Sequence, residues 1–291
     1  MTRIARRICF ALMIVFAPAL ALPAAAADER ITVMVPPDAD VPAGVTVKYS
    51  VPPHVNPVVI LFGGDNGVIR LTTWGWSSGA LQYNFLIRSR HLFNANDLQA
   101  VMLDAASNRF ASGLDNQRLT AEHAKVVKAV IANVRTRFPG RPVWLVGTSN
   151  GTLSVANAAA RLGGAPTGPN GIVLTSTITV SGTSGEMQNV FSTAYPGLGA
   201  IHVPTFVVWH SLDACPLSLG GSGMSVYDAL TGLSAAQKGF ASFSGGGSFG
   251  PDCQAQAYHG FNGIEDNVIT RLADFIKSHM PPVIVVPPPI E

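Results

Sequence analysis

A short apolar segment that turns sharply into a helix of small residues constrains the fold of this chain more than any other feature. The segment covers 143–146, and the sequence Gly-Thr-Ser-Asn-Gly at 147–151 joins it to an alanine-rich stretch that ends near 162. A serine on such a turn points its hydroxyl off the edge of a sheet, and glycines two residues away on each side keep neighbouring backbone from colliding. The pattern is typical of a nucleophile elbow and predicts Ser149 as a nucleophile. The alternative is a serine that only caps the following helix.

The Gly-x-Ser-x-Gly pattern occurs three times in the chain, with Ser77, Ser149 and Ser248 at its centre. The copy around Ser77 follows threonines and a tryptophan instead of an apolar run. The copy around Ser248 is followed directly by Pro251, which a helix tolerates only in its first turn. Only Ser149 therefore has a predicted strand before it and a predicted helix after it.

The first 27 residues have the pattern of a signal peptide. Three arginines precede an apolar run over 8–22, and the run ends in Pro23 and four alanines, which suit cleavage near Ala27. An apolar run of this length, interrupted by a proline, is too short to span a bilayer comfortably. We predict a periplasmic or secreted protein with no membrane span after cleavage. Twin-arginine export is a weaker alternative.

Charge and composition limit the class of protein. Cleavage would remove three arginines and no acid, which changes the formal charge from +2 to about −1 and disfavours a nucleic-acid partner. Only 12% of the residues are charged, whereas 47% are hydrophobic. This balance suits one α/β domain over 28–280 with a buried parallel sheet. The tail over 281–291 contains five prolines and is predicted to be extended.

Short apolar runs alternate with helical patterns along most of the chain. Strands are predicted at 31–35, 45–51, 58–62, 100–103, 143–146, 172–174, 203–209 and 239–243. Helices are predicted at 80–93, 127–138, 150–162, 223–230 and 262–279. This order predicts a doubly wound, mostly parallel sheet with helices on both faces, and the first two strands are expected to be antiparallel at one edge.

One segment interrupts this alternation. Residues 175–200 are rich in Ser, Thr and Gly, and they are predicted to form an insertion that lies over the sheet. Insertions of this kind often shape substrate pockets. Trp74 and Trp76 are further candidates for the pocket wall, although they would suit a hydrophobic core equally well.

A serine hydroxyl needs a base to take its proton and an acid to orient that base. In the order serine, acid, histidine, Asp213 is the candidate acid because it lies in the loop that follows the predicted strand at 203–209. His259 is the candidate base because it lies between the last predicted strand and the last predicted helix. Asp252 remains an alternative acid, since it lies only seven residues before His259. The other downstream histidines are less well placed: His202, His210 and His279.

Two cysteines remain after the predicted cleavage. Loss of Cys9 leaves Cys215 and Cys253 in a chain bound for an oxidising compartment, which predicts a disulfide. The bridge would tie the loop of Asp213 to the loop of His259, although general stabilisation of the fold is an equally good reason for it. Two separate buried thiols are the alternative.

Backbone donors for a developing oxyanion are predicted in two loops. The glycine-rich sequence at 63–67 follows an apolar strand, and its Gly64 N–H is the candidate for the first donor. Asp65 is the alternative, one residue along the chain. The N–H of Asn150, directly after the predicted nucleophile, is the candidate for the second donor.

Taken together, these motifs resemble the α/β-hydrolase fold serine hydrolases over about residues 55–280. The matching segments are Phe62-Gly63-Gly64, the elbow at 147–151, Asp213 and His259-Gly260-Phe261. The resemblance implies an α/β-hydrolase fold, an acyl-enzyme intermediate, and a reaction that requires no metal and no cofactor. The chain departs from the family pattern at two places. The usual His-Gly of the oxyanion loop is Phe62-Gly63 here, and Thr148 and Asn150 stand where many secreted polyester-cleaving relatives have His and Met beside the serine.

The leading hypothesis is an exported serine esterase that acts on a small-molecule or polymeric ester. A peptidase or an acyltransferase with the same residues is an alternative, and so is a non-catalytic binding protein. A metal-dependent hydrolase is disfavoured, because the sequence lacks close histidine spacing of the His-x-x-x-His kind.

Overall fold

The structure is a computed structural model that describes residues 29–51, 57–72, 75–76, 80–115, 117–181, 188–189, 197–218 and 222–280. The predicted signal peptide, the tail over 281–291, Ser77 and Trp74 lie outside the described residues, as does most of the segment 182–196. Within the described ranges, no helix is both long enough and apolar enough to cross a membrane.

Twelve strands occur in the described parts of the chain. They are β1 (Glu29–Met34), β2 (Thr46–Val51), β3 (Val58–Phe62), β4 (Leu71–Thr72), β5 (Gly75–Trp76), β6 (Gln99–Leu103), β7 (Val143–Thr148), β8 (Gly171–Thr175), β9 (Val180–Ser181), β10 (Gln188–Asn189), β11 (Thr205–His210) and β12 (Lys238–Phe243). Eight of them form one sheet in the order β1-β2-β6-β3-β7-β8-β11-β12. β1 pairs with β2 and β2 with β6 in antiparallel fashion, whereas the remaining pairs are parallel.

The helices cover both faces of this sheet. They are α1 (Phe85–Arg88), α2 (Arg90–Ala95), α3 (Ala121–Arg137), α4 (Gly151–Leu162), α5 (Ser222–Ala229) and α6 (Glu265–Ser278). Side chains of α3, α4 and α5 share one apolar cluster with alternate residues of the central strands. Side chains of α1, α2 and α6 share a second cluster with the intervening strand residues. Every residue of β3, β7 and β8 is buried, as expected for parallel strands between two helical layers. The predicted fold class is confirmed.

Three predicted helices differ from the observed ones. The helix predicted from the apolar stripe over 127–138 begins earlier, at Ala121, because the Thr120 side chain caps it by accepting the His123 N–H. The pattern over 80–93 forms a 3-10 turn followed by α1 and α2, because Ser89 leaves helical geometry at φ −93° and ψ 6° between the two helices. The last helix begins at Glu265 and not near 262, because Phe261 (φ 54°) and Gly263 (φ 85°) have left-handed backbone that an α-helix cannot include.

The sheet places the candidate residues at one edge. Phe62 at the end of β3 pairs with Gly147 in β7, so the loops after these two strands begin side by side. His210 at the end of β11 pairs with Phe243 at the end of β12, so the next two loops are also adjacent. Parallel strands all end at the same edge, and that edge is where open α/β sheets bind ligands.

Candidate active site

Ser149 lies on a sharp turn between β7 and α4. Its backbone is left-handed, with φ 53°, which is rare for a residue other than glycine. A Cβ on Gly147 would lie 2.7 Å from the Gly151 carbonyl oxygen, and a Cβ on Gly151 would overlap the Phe62 carbonyl oxygen. The turn is therefore open only to glycine at both positions, as the motif requires. The Ser149 N–H donates to the Thr175 carbonyl oxygen in the neighbouring strand (3.1 Å).

The loop after β3 lies directly against this serine. A Cβ placed on Gly64 would be 2.9 Å from the Ser149 Cβ, so a larger residue could not approach as closely. The Asn150 side chain donates to the Asp65 carbonyl oxygen (3.3 Å), which joins the loop to the elbow. Within the described part of the chain, neither the Gly64 N–H nor the Asn150 N–H donates a hydrogen bond. Both candidate donors therefore lie next to the candidate nucleophile and are available to a ligand.

Asp213 and His259 form a buried pair beside the elbow. His259 Nδ1 lies 2.9 Å from Asp213 Oδ2, and the two side chains are 3% and 0% exposed. Since a carboxylate only accepts, we assign the Nδ1 proton to His259, which leaves Nε2 as the basic nitrogen. His259 Nε2 is buried and has no hydrogen-bond partner among the described residues.

Ser218 contacts both Asp213 and His259. Its hydroxyl lies 3.1 Å from Asp213 Oδ2 and 3.0 Å from His259 Nδ1, and the side chain is fully buried. The other carboxylate oxygen of Asp213 accepts the Cys215 N–H (3.0 Å). Both oxygens of Asp213 are therefore engaged, which fixes the carboxylate in one orientation.

The alternative residues lie elsewhere. Asp252 is exposed and makes no hydrogen bond to His259. His210 is fully buried, but its Nδ1 accepts the Leu212 N–H (3.1 Å) and its Nε2 lies 2.9 Å from the Gly245 carbonyl oxygen. The imidazole of His210 also stacks on Tyr258, with 4.7 Å between ring centres. His210 therefore supports the loops structurally. Ser248, in the third copy of the serine motif, lies in an exposed loop.

The loop of His259 is held in place by several contacts. The structure contains the disulfide between Cys215 and Cys253, which the sequence predicts. Arg88 donates to the carbonyl oxygens of Ala255 (2.9 Å) and Gly260 (2.7 Å). Ser176 donates from its hydroxyl to the carbonyl oxygen of His259 itself (2.8 Å). These contacts limit the movement of the imidazole relative to Asp213.

A cavity of about 230 Å³ lies over these residues. Ser149 and His259 both line it, and so do both cysteines of the disulfide. Its apolar wall includes Leu81, Phe85, Ile178 and Leu217. Ile178 comes from the segment that the sequence predicts as an insertion. Trp74 and the side chain of Trp76 lie outside the described part of the chain.

Asn84 is a polar residue of the cavity that the sequence did not indicate. Its Oδ1 accepts the Leu86 N–H (3.2 Å) and caps α1, so its Nδ2 is the group left to face the cleft. Nδ2 lies 3.4 Å from the position that a Cβ on Gly64 would occupy. An asparagine before an apolar helix predicts a cap, but only the fold brings that cap beside Gly64.

No protein-family model matches the sequence, and no curated protein matches it. Several solved structures are similar over most of their length. An α/β serine hydrolase without lid from Xanthomonas campestris is 17% identical, with a TM-score of 0.53 over 88% of this chain and 96% of that chain. A dienelactone hydrolase from Anabaena variabilis is 12% identical, with a TM-score of 0.54 over 87% and 99%. An esterase from Pyrococcus furiosus is 11% identical, with a TM-score of 0.56 over 87% and 92%. At these identities the similarity shows a common fold.

Proposed function

We propose that this chain, which has the α/β-hydrolase fold, is an exported serine hydrolase that cleaves carboxylic esters. The observation that carries the proposal is the buried His259, whose Nδ1 contacts Asp213 (2.9 Å) while its Nε2 has no partner among the described residues and Ser149 lines the same cavity. A histidine oriented in this way is suited to take a proton from a serine hydroxyl.

The first half of the reaction would proceed by acyl transfer to the serine. Ser149 Oγ attacks the carbonyl carbon of the ester while His259 Nε2 accepts the hydroxyl proton. Asp213 stabilises the imidazolium and holds its orientation. His259 then returns the proton to the leaving alcohol as the carbon–oxygen bond breaks, which leaves the acyl group on Ser149.

The negative charge of the tetrahedral intermediate needs donors beside the nucleophile. The N–H groups of Gly64 and Asn150 are the proposed donors, since both lie next to Ser149 and neither donates within the described chain. Such preorganised donors commonly account for about 100- to 1,000-fold in rate each.

The second half of the reaction would release the acid. A water molecule gives its proton to His259 Nε2 and attacks the acyl carbonyl, and the same backbone donors stabilise the second tetrahedral intermediate. The bond between the acyl carbon and Ser149 Oγ then breaks while His259 returns the proton to Oγ, which releases the carboxylic acid and restores the free enzyme.

Export is part of the proposal. The signal-peptide pattern over 1–27 and the disulfide between Cys215 and Cys253 support it, because structural disulfides persist in oxidising compartments. Expression of the full chain in a bacterial host tests it. A mature mass that begins near Asp28 in the periplasmic or culture fraction is expected, and an uncleaved chain in the cytosol would contradict export.

Labelling with a fluorophosphonate probe tests the nucleophile. The wild type is expected to be labelled at Ser149, and Ser149→Ala is expected to abolish labelling while Ser77→Ala and Ser248→Ala retain it. The last two variants are matched controls, because they remove the serines of the other two motif copies. A folded wild-type protein that is not labelled would argue against a serine hydrolase and for a binding protein.

A panel of paired substrates then tests the ester specificity. Aryl and alkyl esters with acyl chains of two to eight carbons are compared with amides of the same acyl groups. Turnover of esters well above that of the amides is expected. Faster turnover of the amides would indicate a peptidase, and product transfer to added alcohols in preference to water would indicate an acyltransferase.

A further inference from the structure

A buried cation lies beneath the loop that carries the proposed oxyanion donor. Arg118 is only 1% exposed, and its Nη2 donates to three consecutive backbone carbonyl oxygens. The distances are 3.3 Å to Gly63, 3.3 Å to Gly64 and 2.8 Å to Asp65. One guanidinium nitrogen therefore binds all three carbonyl oxygens of residues 63–65, which directly follow β3.

The same guanidinium reaches the helix that follows Ser149. Its Nη1 donates to Ser154 Oγ in α4 (2.9 Å). Gly67 makes room for the group, because a Cβ there would lie 2.8 Å from Nη2. Arg118 thus links the loop of Gly64 to α4 through buried hydrogen bonds.

Burial of the Arg118 charge lowers the stability of the fold, so stability does not explain why the residue is there. Arg118 has no ion pair within the described part of the chain, and its Nε is buried without a hydrogen-bond partner. Burial lowers the pKa of Arg118 to about 10, against the opposing effect of Asp115 and Asp65, so the group stays charged at neutral pH. A buried charge that is only partly compensated destabilises a fold, so its presence calls for a functional reason.

The chemistry of the peptide group supplies that reason. The carbonyl of Gly63 and the N–H of Gly64 belong to one peptide unit, and the carbonyl of Gly64 and the N–H of Asp65 belong to the next. A cation bound to the carbonyl oxygen withdraws electron density and makes the N–H of the same unit a stronger donor, since linked hydrogen bonds polarise one another. Arg118 acts on both units, so the effect holds whichever N–H is the donor.

We propose that Arg118 is a positioning residue for the oxyanion hole: it holds residues 63–65 against the elbow and strengthens their N–H donors as negative charge develops on the substrate oxygen. The inference rests on the proposed function, because it requires addition of Ser149 to a carbonyl group.

Hydrolysis of a matched pair of substrates by Arg118→Met tests this role. Methionine keeps the length and apolar volume of the aliphatic part of the side chain and removes the guanidinium group with its charge and its hydrogen bonds. With an oxygen ester, kcat is expected to fall about 10- to 100-fold, less than for loss of a direct donor, while KM stays within about threefold. With the corresponding thionoester, whose C=S sulfur is a weak acceptor, the fall is expected to be much smaller. The ratio of kcat for the oxygen ester to kcat for the thionoester should therefore be lower in Arg118→Met than in the wild type.

Arg161→Met is the matched control. Arg161 lies in α4, is exposed, and donates to the Leu119 carbonyl oxygen (3.3 Å) without contact to residues 63–65. The same change of charge is expected there to leave both rates within about twofold. Equal losses for the oxygen ester and the thionoester in Arg118→Met would indicate a purely structural role and overturn the inference.

Arg118→Lys covers the case in which the methionine variant does not fold. Lysine keeps the charge, but its ammonium nitrogen ends one atom short of Nη2 and cannot bond the carbonyl oxygens and Ser154 from two separate nitrogens as a guanidinium does. It is expected to show an intermediate kcat and an intermediate ratio, and wild-type values would overturn the inference. If the wild type is active and the ratio of the two kcat values is unchanged in the Arg118 variants, the role of Arg118 is rejected but the proposed function is not. A wild type that neither hydrolyses esters nor reacts with the probe rejects the proposed function and this inference with it.

Discussion

The two halves of the cleft are built from different parts of the polypeptide. The proposed acid–base region consists of three buried side chains, Asp213, Ser218 and His259, in loops that follow β11 and β12. The proposed oxyanion region consists of backbone groups in the loops 63–67 and 147–151. The first region is fixed by side-chain hydrogen bonds and a disulfide. The second is fixed by glycines that allow close approach, and by one buried arginine.

This difference determines which changes each region tolerates. In the acid–base region the chemistry of a side chain matters, and a substitution of the same size can remove the function. In the oxyanion region the space around the backbone matters, and one added methyl group is enough to displace the loops. The four predictions below test this contrast.

Asp213→Asn should have the largest effect. An amide of the same size places a donor beside His259 Nδ1 and favours the wrong imidazole tautomer, so kcat for ester hydrolysis is expected to fall by about 10⁴-fold. Thermal unfolding should change little by comparison. Asp252→Asn, which alters the exposed alternative acid, is the control and should stay within about threefold of the wild type. Equal losses in both variants would refute the assignment of the acid.

Removal of the disulfide should loosen the acid–base region selectively. The bridge closes a loop with a sequence separation of 38 residues, for which the chain-entropy model gives about 4 kcal/mol of stabilisation. The double variant Cys215→Ala, Cys253→Ala is expected to lose about this much free energy of unfolding. Hydrogen exchange should accelerate in peptides around 211–218 and 253–260 before those around 63–67. Uniform acceleration would contradict a local role, and reductant should have no further effect on the double variant.

Gly151→Ala should damage the oxyanion region by steric overlap. The new Cβ would overlap the Phe62 carbonyl oxygen, which cannot move without shifting β3, so a loss of about 3 kcal/mol in the free energy of unfolding is expected. Urea denaturation measures this loss. Gly164→Ala, just beyond the end of α4, has no positive φ and would meet nothing nearer than Val203 Cγ1 at 3.3 Å, so it should cost less than about 1 kcal/mol. Equal costs would show that the close approach is unimportant.

His123, which lies near Arg118, should lower the free energy of unfolding of the protein at acidic pH. Burial and the nearby Arg118 and Arg109 lower the pKa of His123 from 6.5 to about 3. The unfolded chain therefore binds more protons than the folded one between these values, so stability is full above about pH 6.5 and falls as the pH is lowered towards 3. At pH 5 the loss from this one group is about 2 kcal/mol.

The variant His123→Gln isolates that contribution. The difference in free energy of unfolding between pH 7 and pH 5 is expected to shrink by about 2 kcal/mol in this variant relative to the wild type. His202→Gln changes an exposed histidine and serves as the control. An unchanged pH dependence in His123→Gln would show that His123 is not held neutral by burial.

The sequence predicted those features that depend on local pattern. Continuous apolar runs indicated β3, β7 and β8 because strands between two helical layers need no polar face. The elbow was recognisable because its two glycines have a fixed spacing around the serine, although only Gly147 is required by a local contact, and Gly151 is required by the distant Phe62 carbonyl oxygen. Asp213 and His259 were selected by their order in the chain, and the fold brings them together because the strands before them are neighbours. Their catalytic roles remain predictions.

Features that depend on distant contacts were not predictable. No motif marks Arg118, which lies among Asp115, Gln117 and other polar residues. Its burial results from contacts with carbonyl oxygens 53 to 55 residues earlier in the chain. Ser218 meets His259 across 41 residues, and no spacing rule marks such a pair.

The proposed use of main-chain donors in the oxyanion region has a consequence for how the sequence of this protein can change during evolution. A single codon change can delete the imidazole of His259 or the carboxylate of Asp213, whereas no ordinary substitution except proline deletes the N–H at position 64 or 150. Descendants that lose the proposed activity should therefore lose the imidazole of His259 or the carboxylate of Asp213 first. They would retain the glycines around Ser149 and a backbone that can still bind a carbonyl oxygen.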